Sequence, residues 1–81
     1  MRPTRLLRVK GRAGNIAVTE VACKRDAMNS GDVFILDCGE GIFQWNGVAS
    51  NGYERARAAE FVASLHEERA KATVTVFEEG S

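Results

Sequence analysis

One segment repeats its apolar side chains at the spacing of a long α-helix, and no other segment of the sequence does so. The apolar stripe consists of Ala58, Phe61, Val62 and Leu65. These positions share one face of a helix, and the opposite face is charged, so we expect an amphipathic helix over 50–70. Asn51 is the expected N-cap, and Glu54 stands three residues later, as in a capping box.

The remaining apolar segments are short and have the composition of β-strands. They lie at 5–11, 16–22, 33–36, 42–45 and 72–77. The continuous run 33–36 predicts a central strand, which a glycine-rich turn joins to 42–45 in a hairpin. Apolar residues fall on both faces of 16–22, which suits a strand covered on both sides, whereas the alternation in 72–77 predicts a half-buried strand.

This order of segments predicts an α+β fold in one domain, residues 1–81. A single helix covers only one face of a five-stranded sheet. The other face should therefore expose apolar side chains, including half of the run 33–36. We expect a structural element from outside these 81 residues to cover it.

Composition narrows the classes of function. Eleven basic residues balance eleven acidic ones, which argues against nucleic acid as a partner. No segment reaches the roughly 18 apolar residues of a membrane span, and no secretory signal is recognisable, so we expect a cytoplasmic protein. Cys23 and Cys38 lack CxxC spacing and are expected to be free, buried thiols.

The sequence also lacks the usual signs of catalysis. His66 is the single histidine, and it falls on the charged side of the expected helix. Walker, GxGxxG and HExxH patterns are absent. We therefore expect a protein that is not an enzyme.

Three oxygen-bearing positions are candidates for a calcium site: Gly31, Asp32 and Glu54. Calcium binds roughly six to eight oxygens, and a carboxylate at a strand start could share an ion with one in the first turn of a helix. Each residue also has a structural interpretation. Asp32 suits a turn, and Glu54 suits a helix start.

The first expected strand is basic. Arg8, Lys10 and Arg12 recur with period two and should project on one side. They could protect an edge strand from aggregation, or present a row of cations to phosphates or to an acidic protein surface. The sequence leaves both interpretations open.

Three stretches together resemble the gelsolin, villin and severin family, most closely the second domain of its multi-domain members. They are NSGDVFILD at 29–37, IFQWNG at 42–47 and SNGYER at 50–55. The resemblance implies a mixed five-stranded sheet between a long helix and a shorter helix. The shorter helix normally follows the last strand and is missing from this sequence.

The resemblance also implies ligands and partners. The family's calcium site corresponds to the Gly31 carbonyl, Asp32 and a bidentate Glu54, completed by an oxygen from elsewhere. Binding to actin filaments corresponds to Arg12 and Arg55, although Ala13 stands where the family has another basic residue. Phosphoinositide binding corresponds to the stretch that contains Arg5, Arg8, Lys10 and Arg12.

In the family, calcium exposes actin-binding surface, and linked domains then sever, cap or bundle filaments. The secreted members pair two cysteines at positions that are Val33 and Asn46 here, which again favours the cytoplasm. A second hypothesis uses the same resemblance differently. The domain would be a structural module for protein contacts, as in vesicle-coat subunits, without actin activity.

Overall fold

The computed structural model describes residues 4–80. It contains strands β1 (Arg5–Arg12), β2 (Asn15–Val21), β3 (Val33–Asp37), β4 (Gly41–Asn46) and β5 (Thr73–Glu78), with helix α1 (Gly52–Glu68) between β4 and β5. A 3₁₀ turn, Arg25–Ala27, interrupts the connection from β2 to β3.

The five strands form one mixed sheet in the order β2-β1-β3-β4-β5. The first four pair antiparallel with their neighbours, and β5 pairs parallel to β4. This confirms the α+β class, the central position of β3 and the β3–β4 hairpin. It also shows that β1 lies inside the sheet, so the interpretation of its charges as protection of an edge strand was wrong.

Helix α1 packs on one face of the sheet through the predicted stripe. Ala58, Val62 and Leu65 are buried, and Phe61 packs against them while remaining half-buried. The sheet contributes alternate residues to this core: Leu7, Val9, Val33, Ile35 and Ile42. Burial of this cluster fixes which face of each strand meets the helix, because successive side chains in a strand point to opposite faces.

The opposite face carries an open apolar groove of about 410 Å³. Side chains from the intervening strand positions line it: Leu6, Phe34, Leu36, Phe43, Trp45 and Phe77. Met28 and the neighbouring 3₁₀ turn border the groove. Within residues 4–80 there is no second α-helix over this face, in agreement with the sequence-based expectation.

Both edge strands are more exposed than the sequence indicated. Every residue of β2 is exposed or half-buried, and every residue of β5 is exposed. The predictions of a doubly covered β2 and a half-buried β5 were therefore wrong. Helix α1 lies mainly over the inner strands, so it covers few of the apolar side chains on the edge strands.

The two cysteines, Cys23 and Cys38, are free, as predicted. They are exposed and not buried, because both lie just beyond the ends of strands.

The end of the sheet near the C-terminus of α1 is held by a buried carboxylate, Asp37. Arg69 donates two hydrogen bonds to it, at 2.6 and 2.8 Å, and Arg5 donates two more, at 3.1 and 3.2 Å. Hydrogen bonds from Arg69, with those from the Gly39 amide and Arg5, outweigh desolvation and hold the pKa of Asp37 well below its usual range. Asp37 therefore joins β1, β3 and the residue that follows α1.

Asp37→Asn should lower the free energy of unfolding by about 2 kcal/mol at neutral pH, because two guanidinium groups lose their buried anion. The loss should shrink as the pH falls below about 4. In that range the carboxyl group binds a proton in the unfolded chain while it stays charged in the folded one, so its stabilising contribution falls progressively with pH. Urea unfolding at several pH values measures both effects. Asp26→Asn, at an exposed position, is the matched control, and equal losses in the two variants would contradict the role of Asp37.

A candidate cation site and basic surface at the start of the helix

Helix α1 begins with the predicted capping box. The Glu54 amide donates to Asn51 Oδ1 at 2.8 Å, and the Asn51 amide donates to Glu54 Oε1 at 3.1 Å. Both exchanges satisfy N–H groups that the first turn of a helix otherwise leaves unpaired. Glu54 is nevertheless buried, with 3% of its surface exposed, which is unusual for a capping glutamate.

Burial of Glu54 results from a second contact, to the β1–β2 hairpin. The Gly11 amide donates to Glu54 Oε2 at 3.0 Å, and Asn51 Nδ2 donates to the Gly11 carbonyl at 2.9 Å. Gly11 has φ of +142°, and an added Cβ would lie 2.1 Å from the carbonyl oxygen of Asn15. Only glycine therefore fits where the hairpin meets the helix.

Asp32 lies in the turn that precedes β3, and Asn29 organises that turn. Asn29 Oδ1 accepts from the Gly31 amide at 2.8 Å, and Asn29 Nδ2 donates to Asp32 Oδ2 at 3.1 Å. Asp32 is buried and Gly31 is exposed. The side chain of Asn29 thus fixes both candidate ligands of this turn.

The loop from β4 to α1 connects the Asp32 turn to the start of the helix. The Gly47 amide donates to the Asp32 carbonyl at 3.1 Å, and the Ala49 amide donates to the Ser30 carbonyl at 2.8 Å. Ser50 Oγ closes the loop on the Gly47 carbonyl at 2.7 Å. Since this loop leads directly into Asn51, the Asp32 turn and Glu54 occupy the same end of the molecule.

The charges at this end are not compensated within the described chain. Of the three buried acidic residues, Asp37 is paired with two guanidinium groups, whereas Asp32 and Glu54 form no ion pair among residues 4–80. Their hydrogen-bond donors are neutral amides. Buried carboxylates normally have a cationic partner or bind a metal ion, so the pair fits a cation supplied from outside.

A cation here would need more than acidic side chains. Residues 4–80 contain no group of three or more His, Cys, Asp or Glu side chains placed to hold a metal. Carboxylate oxygens have two lone pairs each, so Glu54 can accept its two N–H groups and still bind an ion. A backbone carbonyl, such as that of Gly31, and further oxygens would have to complete the shell.

The predicted basic residues differ in how freely they are presented. Arg12 is exposed near the tip of the β1–β2 hairpin, next to Gly11. Arg55 is half-buried, and its guanidinium donates to the Ser50 carbonyl at 2.6 Å and to Ser50 Oγ at 3.2 Å. Arg55 therefore stabilises the loop before the helix, a role that its sequence context did not indicate.

The basic residues of β1 do not all lie on one face of the sheet, because Arg5 is separated from the row. Alternation places Arg8 and Lys10 on the face opposite α1, because Leu7 and Val9 lie in the core beneath the helix. Arg8 Nε is buried and has no hydrogen-bond partner within residues 4–80. Arg5 lies on the side of the core and pairs with Asp37, which separates it from the other cations.

Gly47 is a residue of this site to which the sequence assigned no role, although it ends the IFQWNG stretch at 42–47. A Cβ at Gly47 would lie 2.4 Å from the Ser30 carbonyl oxygen and 2.5 Å from that of Asp32. The backbones of the two turns touch there. No side-chain pattern reveals such a contact in advance.

Gly47→Ala should lower the melting temperature by roughly 5–15 °C, because relief of the clash costs about 1–3 kcal/mol in a domain of this size. Gly52→Ala is the matched control, since a Cβ there meets nothing within 4 Å and alanine favours the first turn of a helix. Calorimetry on both variants tests the contact. A Gly47→Ala protein as stable as Gly52→Ala would show that the two turns do not depend on it.

Comparison with known proteins agrees with this architecture. The sequence profile of the gelsolin repeat matches residues 14–81. The chain is 43% identical over 79 residues to gelsolin from Gallus gallus, covering 95% of this chain and 10% of gelsolin. It is 41% identical over 78 residues to scinderin from Sus scrofa, covering 94% of this chain and 62% of that protein. The chain thus spans less than two thirds of either relative.

Solved structures share the fold. A chain in the crystal structure of the Thorarchaeota 2DGel3/rabbit actin complex superposes with a TM-score of 0.89 at 25% identity, over 96% of this chain and 40% of that one. The human COPII-coat protein Sec24c superposes with a TM-score of 0.72 at 15% identity, over 96% of this chain and 14% of that one. None of the helices described in residues 4–80 is long and apolar enough to cross a membrane. The chain belongs to the gelsolin-repeat family.

Proposed function

We propose that this chain is a calcium-responsive actin-binding domain, and that calcium acts at the join between the Asp32 turn and the start of α1. The observation that carries the proposal is the pair of buried carboxylates, Asp32 and Glu54, which have no cationic partner in the described chain. Actin as the partner is supported by the likeness to 2DGel3, which was solved in complex with rabbit actin.

The proposed ligands are the Gly31 carbonyl, the Asp32 carboxylate and the Glu54 carboxylate. Calcium would supply positive charge that neutralises the two acids and favours one arrangement of the turn against the helix. Glu54 already holds the β1–β2 hairpin through the Gly11 amide. A calcium ion on Glu54 would therefore act on a residue that is bonded directly to the hairpin that carries Arg12.

Calcium should raise the melting temperature of this domain. At ten times the dissociation constant the stabilisation is about 1.4 kcal/mol, which corresponds to roughly 5–10 °C for a domain of this size. Asp32→Asn should reduce that increment by more than half, because one ligand charge is lost. Differential scanning fluorimetry with calcium, and with magnesium at equal ionic strength, measures the increment.

Asp26→Asn makes the same chemical change at an exposed position in the 3₁₀ turn and should keep the full increment. Comparing increments rather than absolute melting temperatures separates ion binding from the structural contribution of each residue. Equal increments in wild type, Asp32→Asn and Asp26→Asn would refute the site.

The actin surface in this proposal includes Arg12 and Arg55, which lie at the same end of the molecule. Asn51 and Glu54 bind Gly11, the residue before Arg12, and α1 begins one residue after Asn51. An exposed arginine on the hairpin and a half-buried one in the first turn of the helix would face an acidic surface together. Electrostatic attraction of this kind contributes to both encounter rate and affinity.

Arg12→Glu should weaken cosedimentation with actin filaments about tenfold in dissociation constant, equivalent to about 1.4 kcal/mol. Arg12 is the sharper probe, because changing Arg55 would also remove its contacts to Ser50. Lys24→Glu is the charge-matched control, because Lys24 is exposed and borders the apolar groove on the face of the sheet opposite α1. Absence of wild-type pelleting both with and without calcium would favour the structural-module hypothesis, which the shared fold of Sec24c illustrates.

The phosphoinositide response is a further part of the proposal. Arg8 and Lys10 lie together on the face opposite α1, with Arg12 farther along the same strand, while Arg5 is held by Asp37. If lipid and actin share Arg12, vesicles that contain phosphatidylinositol bisphosphate should compete with actin filaments for the domain in the same pelleting assay.

Severing, capping and bundling of filaments would require further domains linked to this one. The proposed location of the protein is the cytoplasmic cytoskeleton.

A further inference from the structure

Strand β5 is an exposed edge without the features that normally protect one. Every residue of β5 is exposed, and residues 73–77 contain neither a charge nor a proline. Three of the five large apolar side chains that the described chain leaves exposed belong to this strand: Val74, Val76 and Phe77. The opposite edge, β2, carries Glu20 and contributes none of the five. An unprotected edge of this kind is a template for another strand.

The backbone of β5 defines which residues would pair. The Thr73 amide donates to the Glu40 carbonyl, and the Glu79 amide donates to the Asn46 carbonyl, so odd-numbered residues direct their polar groups toward β4. Alternation along the strand then directs the N–H and C=O groups of Val74 and Val76 outward. These are the free donors and acceptors of the edge.

We propose that β5 pairs antiparallel with β5 of a second copy of this chain, about a two-fold axis at Thr75. In this register Val74 of each copy lies opposite Val76 of the other, as a hydrogen-bonded pair. Each of the two pairs forms two backbone hydrogen bonds, which gives about four across the axis. The interface is isologous, so it closes as a dimer.

Charge and side-chain size favour this register over its neighbours. It places Lys71 opposite Glu79 on both sides of the axis, and Thr73 opposite Phe77. An axis at Val74 would instead set Lys71 against Phe77, and an axis at Val76 would set Val74 against Glu78. Registers offset by a single residue would set outward groups against inward ones and lose the hydrogen bonds.

The dimer would have a continuous ten-stranded sheet. A two-fold axis perpendicular to the sheet keeps both copies of α1 on the same face, so the helix starts of the two copies would be available together. The exposed Val74 and Val76 side chains would cover each other on that face. This inference does not depend on calcium or actin binding.

Disulfide trapping tests the axis directly. Thr75→Cys in a Cys23→Ser/Cys38→Ser background should form a cross-linked dimer under mild oxidation, because the two Thr75 Cα atoms would lie about 4.5 Å apart. Thr73→Cys in the same background is the control, since its two copies would lie roughly 14 Å apart. Both positions are exposed. Equal cross-linking of the two variants, or none for Thr75→Cys, would overturn the register.

Equilibrium sedimentation tests the association in the unmodified chain. Wild type should show a monomer–dimer equilibrium between micromolar and millimolar concentration, and Val76→Lys should weaken it at least tenfold by adding charge to the edge. Tyr53→Lys, at a position on α1 with 57% exposure, should leave it unchanged. A wild-type chain that stays monomeric at millimolar concentration would overturn the proposal, as would equal weakening by both lysines.

Discussion

The carboxylate of Glu54 makes the contacts that organise the end of the domain where the candidate site lies. One oxygen accepts the amide of the N-cap residue, and the other accepts the Gly11 amide from the β1–β2 hairpin. The same side chain therefore caps α1 and attaches the first hairpin to it. Together with the bond from Asn51 Nδ2 to the Gly11 carbonyl, this contact sets the position of the hairpin, and so of Arg12, relative to the start of α1.

The buried carboxylates at the two ends of the sheet have different partners. At one end Asp37 receives two guanidinium groups, and its lowered pKa keeps it charged through the ordinary pH range. At the other end Asp32 and Glu54 receive only neutral amide donors. The first arrangement is permanent because both cations belong to the chain. The second arrangement has no cation from the described chain, and in the proposed function calcium would supply that charge.

The sequence predicted those features whose signals are local. The period of α1, its capping box and the β3–β4 hairpin each depend on residues close in the chain. Sheet order was less accessible, because the interior position of β1 depends on its pairing with β3, which is distant in the sequence. The exposure of β5 depends on which strands the helix covers. The ion pairs of Asp37 were not predicted, because Arg5 and Arg69 each lie 32 residues away from it in the sequence. The candidate cation site stays a prediction. The support that Asp32 receives from the Asn29 side chain, and the close backbone approach at Gly47, were not predicted because neither contact leaves a pattern in the sequence.

The structural and functional interpretations of the candidate residues are not alternatives. A cation site needs carboxylates that are already fixed, since ordering them on binding would cost conformational entropy. A turn with its own hydrogen bonds fixes Asp32, and a capping box fixes Glu54. The local roles that make each residue look merely structural are therefore what would prepare it to bind an ion. The same reasoning applies to Arg55, whose contacts to Ser50 limit where the rest of its guanidinium can point.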